Sequence, residues 1–139
     1  DITHCPIASP RINDVIDALR RMKRSPRWPA FRFVLEIFTN EQETMLQIRE
    51  SERPLARSFW DWCAREVPGY VADGVVHYAV GQERYRVGPR SFFQVNRTLI
   101  NALVEEVCWQ APASGDALDL YAGVGLFSLP LARRGTRVL

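Results

Sequence analysis

The sequence predicts two architectures in succession. An α+β central domain with antiparallel hairpins is expected over residues 1–88, followed by the start of a doubly wound, Rossmann-like α/β domain over residues 89–139. Three observations carry this. Before Gly88, helical repeats alternate with paired β-rich runs in the order helix, hairpin, helix, hairpin. After Pro89, a helix with an apolar face leads into a short apolar run that opens into a glycine loop and another helical pattern. The chain then stops at Leu139, inside what reads as a second strand, so the second domain is expected to be truncated and the chain a piece of a longer protein.

Residues 1–8 read as an extended lead-in. Ser9 before Pro10 is an N-cap with proline in the first helical position. Ile12, Val15, Ile16, Leu19 and Met22 recur at helical spacing until Ser25-Pro26 stops them. That helix ends in Arg20, Arg21, Lys23 and Arg24. Two readings of this cluster stand: cations complementing the helix dipole, or an RNA-facing patch. Residues 31–38 and 45–49 are β-rich and flank a polar loop, which gives a hairpin. Leu55, Phe59, Trp62, Cys63 and Val67 mark a second amphipathic helix closed by Pro68-Gly69, and residues 75–80 and 82–87 form a hairpin turning at Gly81. A helix is predicted over 97–110, with Asn96 as its N-cap and Leu99, Ile100, Leu103, Val104, Val107 and Cys108 on its apolar face. Residues 117–121 read as a buried strand, 126–132 as a helix and 136–139 as the second strand.

Composition sets the frame. Of 139 residues, 47% are hydrophobic and 24% charged, the profile of an ordinary globular chain. No apolar run is long enough to cross a membrane and no signal peptide is evident. A net charge of +2 is too small to argue for nucleic acid alone. Cysteines 5, 63 and 108 form no CxxC pair, so a reducing, cytoplasmic setting is expected. His4 and His77 lack metal-ligand spacing and read as structural or surface residues.

The glycine loop carries the chemistry. In Asp119-Leu-Tyr-Ala-Gly-Val-Gly125 the two glycines allow positive φ and a close ligand, and the following helix offers unpaired N–H groups. The third glycine of a dinucleotide fingerprint is missing, as is the Lys-Ser/Thr of a phosphate-binding loop. A nucleoside cofactor with an amino-acid tail suits such a loop, as S-adenosylmethionine does.

Phe92-Phe-Gln-Val-Asn96, one helix, then Asp119-Leu-Tyr-Ala-Gly-Val-Gly125 resembles the RNA uracil-5 (5-methyluridine) methyltransferase family, where a Phe-x-Gln-x-Asn motif precedes the glycine loop by one helix. His4-Cys-Pro-Ile-Ala8 is similar to the family's segment leading into its central domain. The resemblance covers essentially the whole chain. It implies an enzyme of RNA processing that moves a methyl group from S-adenosylmethionine to carbon-5 of uridine in rRNA or tRNA, with rRNA favoured. The 89–139 domain is then the beginning of a class I methyltransferase domain.

Residue by residue, the resemblance gives Phe92 the stacking of a flipped uracil. Gln94, Asp119, Tyr121, Gly123, Gly125 and Leu126 become cofactor-binding positions, and Asn96 a structural one. Ala122 stands where relatives often carry Cys, and Leu126 where a small polar residue is common, so only the backbone of Leu126 can serve a cofactor. Asp119 either orients the loop through backbone N–H groups or acts as a cap. By composition Cys5 is an ordinary thiol. In one branch of the family the matching cysteine is the last of four ligands to an iron–sulfur cluster, whose other three lie upstream. Cys63 and Cys108 read as core packing.

The chemistry implied is attack of a cysteine thiolate on uracil carbon-6, methylation of the activated carbon-5, and removal of its proton by a base. Family nucleophile and base follow later strands of the sheet, so no catalytic residue is expected within residues 1–139 and the chain alone should be inactive. Two alternatives remain open at this level. One is another class I methyltransferase with a different acceptor. The other is a non-catalytic RNA-binding or iron–sulfur module.

Overall fold

Residues 3–94, 96–112 and 114–139 are described by a computed structural model. The chain divides into two units, Asp1–Val76 and His77–Leu139. This division falls within the first strand of the second hairpin, whereas the domain boundary expected from sequence lies after the hairpin.

In the first unit, α1 (Pro10–Lys23) starts as its sequence dictates: the Ser9 hydroxyl accepts the Ile12 N–H at 3.4 Å, and Val15, Ala18 and Met22 face inward. β1 (Phe33–Thr39) pairs antiparallel with β2 (Thr44–Ser51), with a register shift between Val34 and Leu35. The Asn40 side-chain oxygen closes the connecting loop by accepting the N–H groups of Gln42 and Glu43 at 2.9 and 2.6 Å. α2 (Arg57–Glu66) inserts Phe59, Trp62 and Cys63 into a core shared with Val15, Met22, Leu46 and Val67. Phe59 meets Trp28 and Phe33 edge-on, each with ring centroids 5.7 Å away. The chain then returns past Gly69 to β2, where Thr44 donates to the Gly69 carbonyl (2.7 Å) and accepts from Val71 (2.9 Å), a parallel bridge that no local pattern announces.

β3 (Val76–Val80), whose first residue closes the first unit, and β4 (Glu83–Val87) form a two-stranded sheet. Period-2 alternation holds: Val76, Tyr78 and Val80 are buried while His77 and Ala79 are exposed. α3 (Ile100–Gln110), β5 (Asp116–Ala117), α4 (Ser128–Arg133) and β6 (Arg137–Val138) follow. β5 and β6 run parallel, with Asp116 opposite Arg137 and Ala117 opposite Val138, and α4 lies between them in sequence.

Two sequence expectations are corrected here. α3 begins at Ile100 rather than residue 97, because Asn96 caps the preceding turn instead: its side-chain oxygen accepts the Leu99 N–H at 3.3 Å and the Thr98 hydroxyl at 2.7 Å. Of the expected apolar face, Ile100 and Cys108 are buried, while Leu99 and Leu103 stay exposed. The strand expected over 117–121 is only Asp116–Ala117, and Leu118 and Leu120 are 69% and 71% exposed. The physical reason is pairing: among the described residues β6 is the sole ladder neighbour of β5 and is itself two residues long, so the ladder ends there. No helix among the described residues is long and apolar enough to cross a membrane.

Candidate functional site

The glycine loop is set by backbone geometry. The Asp119 N–H donates to the Leu139 carbonyl and the Leu139 N–H to the Ala117 carbonyl, both at 2.9 Å, carrying the parallel pairing one step past β5. The chain then turns sharply. Tyr121 holds φ +63° with its side chain fully exposed, and Gly123 and Gly125 hold +57° and +83°. A non-glycine residue in this left-handed region carries about 1–2 kcal/mol of strain, and such strain concentrates at functional loops. Gly125 donates to the Ala122 carbonyl at 2.8 Å, closing the turn, and its own carbonyl accepts from Leu129 at 3.1 Å to start α4. Among the described residues the N–H groups of Ala122, Gly123 and Val124 have no hydrogen-bond partner.

The carboxylate of Asp119 accepts the hydroxyl of Ser128 at the start of α4. The partner is thus a side chain rather than the loop N–H groups, and it pins the strand end to the helix that follows the loop. In the sequence Ser128 is only a hydroxyl nine residues on, too common a feature to single out. Leu126 is buried, and its carbonyl accepts the Tyr85 hydroxyl at 3.1 Å. Its backbone is therefore already half engaged, leaving the N–H for any ligand.

Phe92, at the head of the Phe-x-Gln-x-Asn motif, has its carbonyl close to this loop. A Cβ placed on Gly123 would sit 3.7 Å from the Phe92 carbonyl oxygen. Phe93 turns into the core, with ring centroids 4.7 Å from Tyr78 and 5.9 Å from Tyr85. Phe92 is left 78% exposed and Gln94 half-buried. Val95, between Gln94 and Asn96, lies outside the described residues. Phe92 and the loop residues 121–125 thus share one surface of the second unit.

Two ion pairs belong to this unit. Arg133 binds Glu83 and holds its carboxyl below the ordinary 4.5, and Arg137 does the same to Asp116, ordinarily 3.8. Burial, helped by Glu83 and Cys108, pushes the Tyr85 hydroxyl up to about 12.

The three cysteines are free thiols. Burial pushes the Cys63 thiol up to about 12, so it carries no thiolate at neutral pH, and Cys108 is also buried. Cys5 is half-buried in a turn held by Asn13, whose side chain accepts the Cys5 N–H at 2.8 Å and donates to its carbonyl at 3.1 Å. Among the described residues no three His, Cys, Asp or Glu side chains gather as metal ligands. A cluster needs about four thiolates, so the three cysteines present do not hold one by themselves.

No family model matches the chain. Individual proteins do. A protein of Aquifex aeolicus named an uncharacterized RNA methyltransferase is 30% identical over 97% of this chain and 36% of its own length. A 23S rRNA (uracil(1939)-C(5))-methyltransferase of Halomonas elongata is 27% identical over 99% of this chain and 34% of its own. A tRNA (uracil(54)-C(5))-methyltransferase of Pyrococcus horikoshii is 26% identical over all of this chain and 40% of its own. The crystal structure of Pyrococcus abyssi tRNA (uracil-54, C5)-methyltransferase in complex with S-adenosyl-L-homocysteine matches with a TM-score of 0.65 at 21% identity, over 99% of this chain and 42% of that one. In fold, then, the chain is a mixed α/β protein with small sheets, of the kind found in an RNA methyltransferase. It spans between about a third and two-fifths of the length of these relatives. By sequence it is similar to RNA methyltransferases, among them proteins named for carbon-5 of uracil in 23S rRNA and in tRNA.

Proposed function

We propose that the chain is the central domain, residues 1–88, and the truncated Rossmann-like start of the methyltransferase domain, residues 89–139, of an S-adenosylmethionine-dependent RNA (uracil-5) methyltransferase. The observation that carries this is the meeting of two motifs far apart in sequence: the Phe92 carbonyl lies 3.7 Å from the Cβ position of Gly123. When bound, S-adenosylmethionine supplies the methyl group for carbon-5. The unpartnered N–H groups of residues 122–124 and the exposed Tyr121 ring suit a cofactor with a carboxylate and an adenosine. Gln94 orients that cofactor, and the exposed Phe92 ring stacks the uracil drawn out of its strand. No cysteine here suits attack on carbon-6, so that thiolate comes from elsewhere in the enzyme, and the chain alone transfers no methyl group. An rRNA acceptor is favoured over tRNA, motivated by the relatives named for 23S rRNA.

The test uses the whole enzyme. Phe92→Ala should weaken RNA binding about 5- to 150-fold, the loss of one stacked base, while cofactor affinity holds. Gly125→Val should abolish cofactor binding and spare RNA, because its φ of +83° is closed to a β-branched residue. Calorimetry with S-adenosylmethionine and filter binding with 23S rRNA and tRNA fragments read both. Impairment of the same ligand by both variants, or of neither, overturns the assignment.

A further inference from the structure

We propose that the first unit carries a second RNA-binding surface, a groove between α1 and the start of β1 that takes one unpaired base and its flanking phosphates. The proposal rests on the RNA-enzyme reading but uses none of the residues of the glycine-loop site. The groove has a volume of about 390 Å³ and an aromatic floor of Trp28, Phe31 and Phe33. Trp28 and Phe33 are tilted by 32° with centroids 5.4 Å apart, and Phe31 meets Phe33 edge-on at 6.1 Å. All three are half-buried, so each keeps an accessible part of its ring.

Three cations rim this floor: Arg20, Lys23 and Arg32. Residues 18–35 contain six cations (Arg20, Arg21, Lys23, Arg24, Arg27 and Arg32) and no carboxylate. Arg20 has a loose pair with Asp17 at 3.9 Å, and Glu52 accepts the backbone N–H of Arg32 at 3.3 Å, not its guanidinium. Among the described residues the charged ends of Lys23 and Arg32 have no ion-pair partner. Cation–dipole complementarity at the end of α1 explains Arg20 and Lys23 alone. It does not explain Arg32, which lies just before β1, or an open aromatic floor between the two. Stacking platforms bordered by cations are what single-stranded nucleic acid requires: the rings accept any base face and the cations track the phosphates. An apolar peptide would leave these cations facing an uncharged ligand.

The experiment uses this chain and a fluorescein-labelled twelve-nucleotide oligouridylate, read by anisotropy at low salt, with the same sequence in duplex form as competitor. Binding should favour the single strand. Trp28→Ala should weaken it about 5- to 150-fold. Because Trp28 also packs on Phe59, the exposed pair Lys23→Glu with Arg32→Glu supplies a variant that leaves the core alone. It should weaken binding at least about tenfold and reduce the salt slope by roughly 0.7 for each phosphate that is no longer neutralised. Arg65→Glu on α2 should change affinity less than about threefold. A 4-thiouridine probe should crosslink within residues 28–33. Equal binding by the charge-reversed pair, crosslinks confined elsewhere, or no single-strand binding overturns the groove. So does an apolar dye that binds there and is not displaced by RNA, which would mark a protein-facing surface. These results are independent of the Phe92 and Gly125 variants: failure here with success there leaves the enzyme without this second surface, and the reverse leaves an RNA-binding groove without the proposed active site.

Discussion

Tyr85→Phe removes a single oxygen and tests whether the β3–β4 hairpin holds the glycine loop in shape. Tyr85 is 2% exposed, and its hydroxyl donates to the carbonyl of Leu126, 41 residues along the chain, at 3.1 Å. The ring stays in place in the variant, because its packing on Phe93 does not involve the oxygen. The cost is therefore the hydrogen bond itself, about 1 kcal/mol net, plus part of the penalty for leaving a buried carbonyl unpaired, about 1–3 kcal/mol. Water reaching the loop will recover some of that, so about 1–2 kcal/mol is expected. For a chain of this size each kcal/mol moves the midpoint by about 3–5 °C, giving a fall in Tm of about 3–10 °C. Hydrogen exchange should locate the effect, with amide protection falling over residues 122–129 more than in α1 or β2. An unchanged Tm with unchanged loop exchange would refute the idea that the hairpin steadies the loop.

Gly69→Ala should destabilise the first unit by more than about 3 kcal/mol, since φ is +69° and the new Cβ would fall 2.1 Å from the Gln42 carbonyl oxygen; an unchanged urea midpoint would contradict this. Ala56→Asp should stabilise by about 0.5–1.5 kcal/mol, because Ala56 occupies the N-cap of α2 with extended φ and ψ and offers no side-chain acceptor; chemical denaturation would show it. Glu83 and Asp116 both titrate below their ordinary values, so their contribution is present above the unfolded carboxylate range and is lost as pH falls through 4.5 and 3.8 and below. Replacing Arg133 and Arg137 by Gln should flatten the acid limb of stability against pH, and an identical limb in the double variant would rule the pairs out. Tyr85 titrates in the opposite sense: its contribution is full below 10 and lost as pH rises towards about 12, so tyrosinate absorbance should show it titrating late, together with Tyr70, which burial also raises.

What is legible in the sequence is what short stretches decide. Ser9-Pro10 opens α1, alternation sets the strands, and Phe92, Gln94 and the two glycines stand out by type and spacing. What stays hidden depends on distant partners. Asn96 looks like a helix cap, and only the turn at residues 97–99 shows that it caps something shorter. Residues 117–121 have a strand's composition, but their pairing depends on neighbouring strands that local pattern cannot reveal. The Ser128–Asp119 and Tyr85–Leu126 bonds and the Thr44–Tyr70 bridge join residues whose types are ordinary. The order of motifs predicts that the Phe92 segment and the glycine loop meet, but not which of their atoms do so.

The amide of Asn13 has a consequence for chemical ageing. Its oxygen takes the Cys5 N–H, while its nitrogen donates to the carbonyls of Cys5 at 3.1 Å and Ser9 at 3.3 Å. Deamidation would preserve the shape of this side chain and remove the donor from every bond its nitrogen makes, setting a carboxylate oxygen against those two carbonyls. Helix α1 has its own cap at Ser9 and would persist, while the segment before it would peel away. Asn13→Asp mimics the aged state, and a thiol-specific alkylating reagent should find Cys5 faster in it than in the parent. A slow, uncatalysed reaction at one side chain would thus free a thiol that the intact amide keeps tied to the first turn of a helix.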